Sequence, residues 1–329
     1  MQRSITALPP GCDPSSVVLT FPVAPEFAGL RLDTFLKTRI PRISRTKAKS
    51  IIESCAYRPD GRRRRASERV RAGETLLLVR QRLQEPETPQ AFGILHADAD
   101  VVAVDKPAGL PVHPTATYHR HTLTYLLRQH FGAQAPHIVH RLDRETSGIV
   151  LCARHLIAER FFKEEFARRR VEKRYLAIVR GEVSEAQGEI ALPLEPASEG
   201  LHLLMQVAKQ ETSTTVAKTH YRVCARRGGY TMLLLAPHTG RQHQLRVHLA
   251  AIGHPIVGDK LYGPEGSAAF IEYIDTGMTP ELEARLGHPR QALHAFELRI
   301  RQPQGQAHLC VRAGLPDDLR RLWKRLGKR

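Results

Sequence analysis

Two strands around the dipeptide Gly228–Gly229 constrain the fold of this chain more than any other feature of its sequence. The stretch THYRVCARRGGYTMLLLAPH, residues 219–238, places an apolar run on either side of these glycines, and that pattern predicts an antiparallel hairpin. Shorter strands are predicted at VVAVDKPAG, GIVLCA and RYLAIVRG, and an amphipathic helix at HLIAERFFKEEFARRR. Short strands joined by hairpins predict an α+β fold with a mixed, mostly antiparallel central sheet and flanking helices.

A small α/β module is predicted in front of this sheet. Apolar residues with helical spacing predict a first helix that ends at Pro41, and Ser44 is placed to cap a second helix. A turn at PDG (59–61), an exposed run of four arginines (62–65) and a strand that begins near Gly73 complete the module. The helices and strand together predict a compact unit of about 55 residues, within the usual size of a small domain.

Composition divides the chain into five segments. They are a flexible arm (1–20), the small module (21–82), a Pro- and Glu-rich linker (83–91), the main domain (92–312) and a basic C-terminal helix (313–329). The last segment has an apolar stripe at Leu319, Leu322, Trp323 and Leu326, with Asp317 or Asp318 as the expected cap.

Positive charge is concentrated in the small module. The chain has 50 Lys and Arg against 33 Asp and Glu, a net charge of +17, and residues 31–82 hold sixteen basic and five acidic residues. Such a surplus attracts polyanions, so we expect RNA contacts from Arg45, Lys47 and Lys49. A merely solvated basic face would have the same composition.

Cellular location is indicated by what the sequence lacks. No apolar run approaches the roughly 18 residues of a membrane span. The five cysteines form no CxxC pair, which indicates neither a disulfide framework nor a zinc site and favours the reducing cytoplasm.

One carboxylate stands among arginines at residues 140–154, HRLDRETSGIVLCAR. Asp143 lies between Arg141 and Arg144, and neighbouring cations lower the pKa of an aspartate below its usual value of about 3.9. An ionised carboxylate is a poor general acid, but it can attack or stabilise the anomeric carbon of a sugar. In a chain that binds RNA this indicates chemistry at a ribose. A surface ion pair at a turn is the alternative interpretation.

A second polar segment is HTGRQHQLRVHLAAIGHP, residues 238–255. Thr239 or Gly240 is expected to open a helix, and Arg241 at its N-terminus would form a phosphate site. His238, His243 and His248 of this segment are spaced by five residues, which does not stack them on one helix face, so no metal site is predicted. Tyr175 in KRYLAIVRG is either a core residue or a ring that stacks on a base.

Taken in order, HRLDRETSGIVLCAR, KRYLAIVRG, HTGRQHQLRVHLAAIGHPIVGDKLYG and QALHAFEL resemble the RluA-type pseudouridine synthases. The resemblance covers residues 92–312 and includes VVAVDKPAGLPVHP at the start. It implies that Asp143 is the catalytic aspartate, Tyr175 the active-site tyrosine and Arg246 the partner of the aspartate. It further implies RNA or positioning roles for Arg141, Arg241, His243 and Gln244. Residues 263–289 depart from the family pattern and look like an insertion.

The small module resembles an S-four-type RNA-binding domain. The matching pieces are RLD, Ser44–Arg45 and the AGE that precedes the last strand, whereas CAYRPDGRRRR departs from the family's hairpin.

Together the two resemblances imply an isomerase that needs no cofactor or metal. We expect it to work as a monomer. It would convert uridine to pseudouridine in large-subunit ribosomal RNA, with transfer RNA as the second candidate. A non-catalytic RNA-binding or ribosome-assembly factor and a metal-dependent nuclease are the rival hypotheses; a DNA-binding regulator is disfavoured because no recognition-helix pattern is present.

Overall fold

The computed structural model describes residues 8–13, 16–40, 43–80, 85–115, 117–199, 201, 203–303, 305 and 308–326. The chain divides into two compact units, Met1–Glu85 and Pro86–Arg329. Several expectations lie outside the described residues: the first seven residues of the arm, the end of a helix at Pro41, part of the linker and the last three residues. No described helix is long and apolar enough to cross a membrane.

The N-terminal unit packs two helices against a three-stranded antiparallel sheet. Its elements are β1 (Val17–Pro22), α1 (Leu32–Arg39), α2 (Arg45–Cys55), β2 (Ala56–Tyr57) and β3 (Thr75–Arg80), and β3 lies between the other two strands. Ser44 caps α2 as predicted, because its hydroxyl accepts a hydrogen bond from the Lys47 backbone N–H at 3.1 Å.

Two expectations for this unit are wrong. Residues 17–20, assigned to the flexible arm, belong to β1, which pairs with β3 along its whole length; the prolines that precede this strand obscure its short apolar run. The run of four arginines is not wholly exposed either. Arg64 is buried because it pairs with Glu68 at 3.1 Å and Glu74 at 3.2 Å.

The C-terminal unit is built on one large mixed sheet. Its strands are β4 (Gly93–Ala97), β5 (Val101–Lys106), β6 (His137–Ile138), β7 (Ser147–Ala153), β8 (Glu172–Arg180), β9 (Gln187–Ile190), β12 (Thr219–Arg227), β13 (Tyr230–Pro237), β14 (Leu293–Arg301) and β15 (His308–Arg312), with β10 (Leu194–Pro196) and β11 (Met205–Val207) as a separate pair. The order is β4-β5-β7-β14-β8-β13-β12-β9. Among the described strands, β7 and β14 are the one parallel pair. The predicted α+β fold, with its mostly antiparallel sheet, is confirmed.

Burial along the strands follows their position in the sheet. Strand β7 is buried at every residue, because α3 (Leu123–Phe131) covers one face and α4 (Leu156–Ala167) the other. A strand that is covered on both faces has a continuous apolar sequence, as in GIVLCA. Strand β13 alternates instead, and its buried side packs on α5 (Gln244–Ala251) and α8 (Asp317–Leu326).

The C-terminal helix buries the predicted apolar stripe, since Leu319, Leu322 and Leu326 are in the core. Its expected cap is wrong. Because α8 already begins at Asp317, both aspartates lie in its first turn, and the Asp318 carboxylate instead accepts two hydrogen bonds from Arg290, at 2.6 and 3.1 Å.

The segment 263–289 folds into two helices, α6 (Ala268–Thr276) and α7 (Pro280–Leu286). They share a small apolar core that contains Ala269 and Leu282. The Tyr273 hydroxyl of α6 accepts a hydrogen bond from Arg144 at 3.3 Å, so this segment contacts the loop that carries Asp143.

Candidate active site

The loop that carries Asp143 is held in place by its backbone. Lys106, fully buried at the end of β5, donates to the Arg144 carbonyl at 3.1 Å and to the carbonyls of Pro107 and Leu110. Gly148 follows the loop with φ of 109°, and a Cβ there would lie 2.2 Å from the Ala295 carbonyl oxygen. The glycine of the TSG turn is therefore required by the close approach of β14.

Asp143 contacts a buried arginine. Arg246, on α5, donates from Nη1 to Asp143 Oδ2 at 3.1 Å. The same guanidinium donates from Nε and Nη2 to Asp259, at 2.7 and 2.8 Å, and lies over the Tyr262 ring with 5.0 Å to its centroid. The two-pronged bond to Asp259 fixes the plane of the guanidinium, and this plane directs the remaining nitrogen at Asp143.

Charge keeps Asp143 ionised. Burial alone would raise the pKa of Asp143, but the charge and hydrogen bond of Arg246 bring that pKa below its usual value. The same balance holds at Asp259, where burial is outweighed by Arg246 and by backbone N–H groups of Leu261 and Tyr262. Two carboxylates thus share one guanidinium, and Asp143 is the one whose side chain is a quarter exposed.

Tyr175 shares a cavity of about 120 Å³ with Asp143 and Arg246. Burial, with the charge of Asp143, raises the pKa of Tyr175, so its hydroxyl keeps its proton. The tyrosine lies on β8 and packs against two apolar clusters of the sheet. The ring is therefore part of the core and also lines the cavity.

His243 lies beside the carboxylate. Its Nε2 is 3.9 Å from Asp143 Oδ2, beyond hydrogen-bonding distance, and its Nδ1 is 2.7 Å from the Tyr262 hydroxyl. Burial, then the charge of Arg246, lowers the pKa of His243 to about 4, so the ring is neutral. Since the Tyr262 oxygen accepts from the Met205 N–H, its own hydrogen can go to Nδ1, which would leave the ring hydrogen on Nε2, facing Asp143.

The expected helix start in this segment is wrong. Helix α5 begins at Gln244, after His243 in a left-handed conformation with φ of 54°. The turn before it is held by Gln244, whose buried amide accepts from Thr239 Oγ1 at 2.6 Å and from Arg241 N at 3.1 Å. Arg241 therefore precedes the helix rather than opening it, and its guanidinium donates to the carbonyls of Val216 and Ser213, both at 3.4 Å.

The other predicted RNA-contacting residues are exposed. Arg141 lines the cavity beside Asp143. Arg45, Lys47 and Lys49 lie on α2 of the N-terminal unit, where Arg45 is 3.4 Å from Asp33 and Lys49 is 3.8 Å from Glu53.

The three histidines that are spaced by five residues, His238, His243 and His248, have separate surroundings. His248 is buried against Thr219 and Leu192, His238 stacks edge-on with His220, and His243 faces Tyr262. They do not converge on one point.

Asp259 and Lys106 were not identified from the sequence as site residues. Asp259 lies in IVGDKLYG and Lys106 in VDKPAG, both within the segments that carry the family resemblance. A lysine at a strand end or a lone acid in a loop is ordinary, and Asp259 lies thirteen positions after Arg246. The signal that could have identified them is a charged residue inside an apolar segment, because a charge that is buried with such a segment needs a partner.

Comparison with known proteins gives a consistent result. A family model described as RNA pseudouridylate synthase matches residues 100–251. Ribosomal large subunit pseudouridine synthase D of Nitrosomonas europaea is 33% identical over 316 residues, which cover 93% of this chain and 86% of that protein. The protein of the same name from Xanthomonas campestris pv. campestris is 36% identical over 308 residues, covering 91% and 89%.

Solved structures agree with these relatives. The structure of human RNA pseudouridylate synthase domain containing 4 superposes with a TM-score of 0.56 and 28% identity, over 71% of this chain and 92% of that one. Similarity of sequence along nearly the whole chain, together with similarity of fold, shows that this protein belongs to the RluA-type family of RNA pseudouridine synthases, isomerases that act on RNA.

Proposed function

We propose that this enzyme converts uridine to pseudouridine in large-subunit ribosomal RNA. Two relatives that match more than nine-tenths of the chain carry that substrate in their names. The observation that carries the catalytic assignment is the Asp143 carboxylate, held at 3.1 Å by Arg246 in a cavity that Tyr175 also lines. Transfer RNA is the second candidate substrate.

Asp143 is proposed to act at the ribose. The bond between N1 of uracil and C1′ breaks, the base rotates, and a bond from C5 to C1′ replaces it. A proton leaves C5 and one is gained at N1, so the atoms balance without a co-substrate. An ionised carboxylate can attack C1′ or stabilise the positive charge that develops there. Because a duplex hides the target atom, the nucleotide must be extruded first.

Arg246 and Tyr175 are proposed to support that step in different ways. The bond from Arg246 keeps Asp143 ionised and fixes the direction of its oxygen. Tyr175 offers a flat ring to the uracil and a protonated hydroxyl near the place where the C5 proton is transferred. Arg141, Arg241 and His243 would contact the extruded nucleotide, and Gln244 would position the turn that presents Arg241.

The N-terminal unit is proposed to anchor the RNA. Its two helices and small sheet support an S-four-type domain that includes β1 and spans residues 17–82, followed by a linker (83–91), a catalytic domain (92–312) and a terminal basic helix (313–329). Exposed Arg45, Lys47 and Lys49 on α2 would contact phosphates, which raises the local concentration of RNA near the active site.

We further propose that the protein acts as a monomer in the cytoplasm, without metal or cofactor. Its five cysteines are present as free thiols, which suits a reducing compartment. Activity that persists in the presence of a chelator, and that is found in the monomer fraction after sedimentation, would support these points.

Substrate identity is tested by mapping pseudouridine after incubation with unmodified transcripts. Carbodiimide-dependent stops of reverse transcription should appear in large-subunit ribosomal RNA and not in a pool of transfer RNA. Stops in transfer RNA alone would transfer the assignment to the second candidate. Tight binding without any stop in either RNA would favour the binding-factor hypothesis.

A further inference from the structure

A second cavity of about 420 Å³ adjoins the catalytic one. The two cavities share Lys173, Thr239, Gly240 and Arg241 in their linings. The catalytic part, about 120 Å³, is small, whereas the second part has the size of an ordinary ligand pocket.

The titratable residues that line the second cavity are all basic. They are Arg169, Lys173, His238 and Arg241, and no aspartate or glutamate lines it. Burial lowers the pKa of His238, so this ring contributes hydrogen bonds rather than charge. The three remaining side chains make a site suited to one anionic group with several oxygens.

Lys173 has no acidic partner among the described residues. It lies two residues before Tyr175 on β8, so both side chains point to the same face of the strand, and both line the catalytic cavity. Burial lowers the pKa of Lys173. Within the described parts of the chain its Nζ makes no hydrogen bond or ion pair, whereas buried Lys106 and Lys260 each satisfy theirs on carbonyl or carboxylate oxygens.

Arg169 is held in a conformation that favours glycine. It follows the end of α4 with φ of 57°, and the bonds Arg169 N to Phe166 O and Arg170 N to Glu165 O close the helix end. Glycine is the usual residue at this position of such an end. An arginine kept in a disfavoured conformation at the edge of a cavity indicates a use for its side chain.

Its two neighbours show the contrast. Arg168 pairs with Glu164 at 2.5 Å and Arg170 with Glu165 at 3.2 Å, whereas Arg169 has no ion pair among the described residues and lines the cavity. The surrounding glutamates thus neutralise the flanking arginines and leave the middle one for an external anion.

We propose that Arg169, Lys173 and Arg241 form a subsite for a backbone phosphate of the RNA strand next to the extruded uridine. The inference rests on the proposed function, because it takes RNA as the substrate. Holding the adjacent phosphate would keep the strand fixed while the target nucleotide occupies the catalytic cavity, and would offset the cost of extrusion.

The test compares RNA affinity over a range of salt concentrations for full-length variants, with protein-free large-subunit ribosomal RNA as the probe. Lys173→Met and Arg169→Gly should each weaken binding about tenfold at low salt, the value of one charge-assisted hydrogen bond. Each should also make the slope of log affinity against log salt shallower by about 0.7. Arg160→Gln is the matched control, since Arg160 is exposed on α4, the helix that Arg169 follows, and does not line the cavity.

Arg169→Gly separates binding from folding. Glycine suits the left-handed position, so the melting temperature should stay equal or rise while RNA affinity falls. Affinity and salt slope equal to those of Arg160→Gln would overturn the subsite. Weaker binding with an unchanged slope would show that the group bound there is not a phosphate. Because binding is measured without turnover, a shallower slope in a protein that forms no pseudouridine would leave the subsite standing and refute the proposed function alone.

Discussion

Replacement of Asp259 by asparagine tests whether Asp259 positions Arg246. The Asp259 carboxylate is buried and accepts two bonds from Arg246 and two from backbone N–H groups of Leu261 and Tyr262. Asparagine can keep its oxygen on the backbone groups, but its amide then faces Nε of Arg246, donor against donor. Breaking a buried ion pair from one side costs roughly 3–5 kcal/mol. Since Asp143 still balances part of the charge, we expect about 3 kcal/mol, the lower end of that range.

The rate should fall because the guanidinium loses the interaction that fixes its plane. Displacement of a positioning group by about 1 Å can reduce a rate by roughly a hundredfold, and we expect Asp259→Asn to lose about that much in single-turnover release of the C5 hydrogen. RNA affinity should change little, since Asp259 is 1% exposed and cannot touch the RNA. Urea unfolding and single-turnover kinetics on the same preparations measure both effects.

The decisive comparison uses Arg246→Met as a second background. There Asp259 is an unpaired buried charge, so Asp259→Asn should stabilise that variant although it destabilises the wild type. In rate, the double variant should be no slower than Arg246→Met alone. An Asp259→Asn enzyme within twofold of the wild-type rate, or losses that multiply in the double variant, would refute the role of Asp259.

Three further outcomes are expected. Tyr175→Phe should lower the single-turnover rate by about 10²–10⁴ with RNA affinity within twofold, and a near wild-type rate would remove the hydroxyl from the chemistry. Burial lowers the pKa of Lys106 to about 7, so between about pH 7 and 10 the unfolded state binds the additional proton. Stability should therefore rise with pH by up to about 1.4 kcal/mol per pH unit from this residue; urea unfolding at several pH values should show that Lys106→Met lacks this rise, and parallel pH profiles would contradict it. Lys47→Gln with Lys49→Gln should make the salt dependence of RNA binding shallower by about 0.7 for each phosphate that the helix no longer binds, whereas arginine at both positions should preserve it.

The overall fold was predictable because its strands carry strong periodic signals. The hairpin around Gly228 and the fully apolar β7 indicated the mixed sheet, and the capping by Ser44 was visible as a local pattern. The errors came from interactions between distant parts of the sequence. The sequence of residues 17–20 looks like part of a flexible arm, because β1 becomes recognisable only through its pairing with β3. Arg64 is buried because two glutamates surround it.

The catalytic residues were predictable from the family motifs, but the residues that hold them in place were not. Asp143, Tyr175 and Arg246 followed from the resemblance, and the structure brings all three to one cavity. The start of α5 was misjudged because Thr239 and Gly240 look like a cap, whereas the Gln244 amide holds them in a separate turn. The role of Asp259 depends on its contact with Arg246 on α5, and no local sequence pattern indicates that contact.

Catalysis by Asp143 is tested most simply by tritium release from RNA labelled at C5 of uracil, with wild type and Asp143→Asn compared side by side. Asparagine keeps the shape of the side chain and removes the charge that Arg246 holds at 3.1 Å. We expect release by the wild type alone, with RNA affinity of the variant nearly unchanged. Release by Asp143→Asn at more than a tenth of the wild-type rate would contradict the assignment of this carboxylate to catalysis.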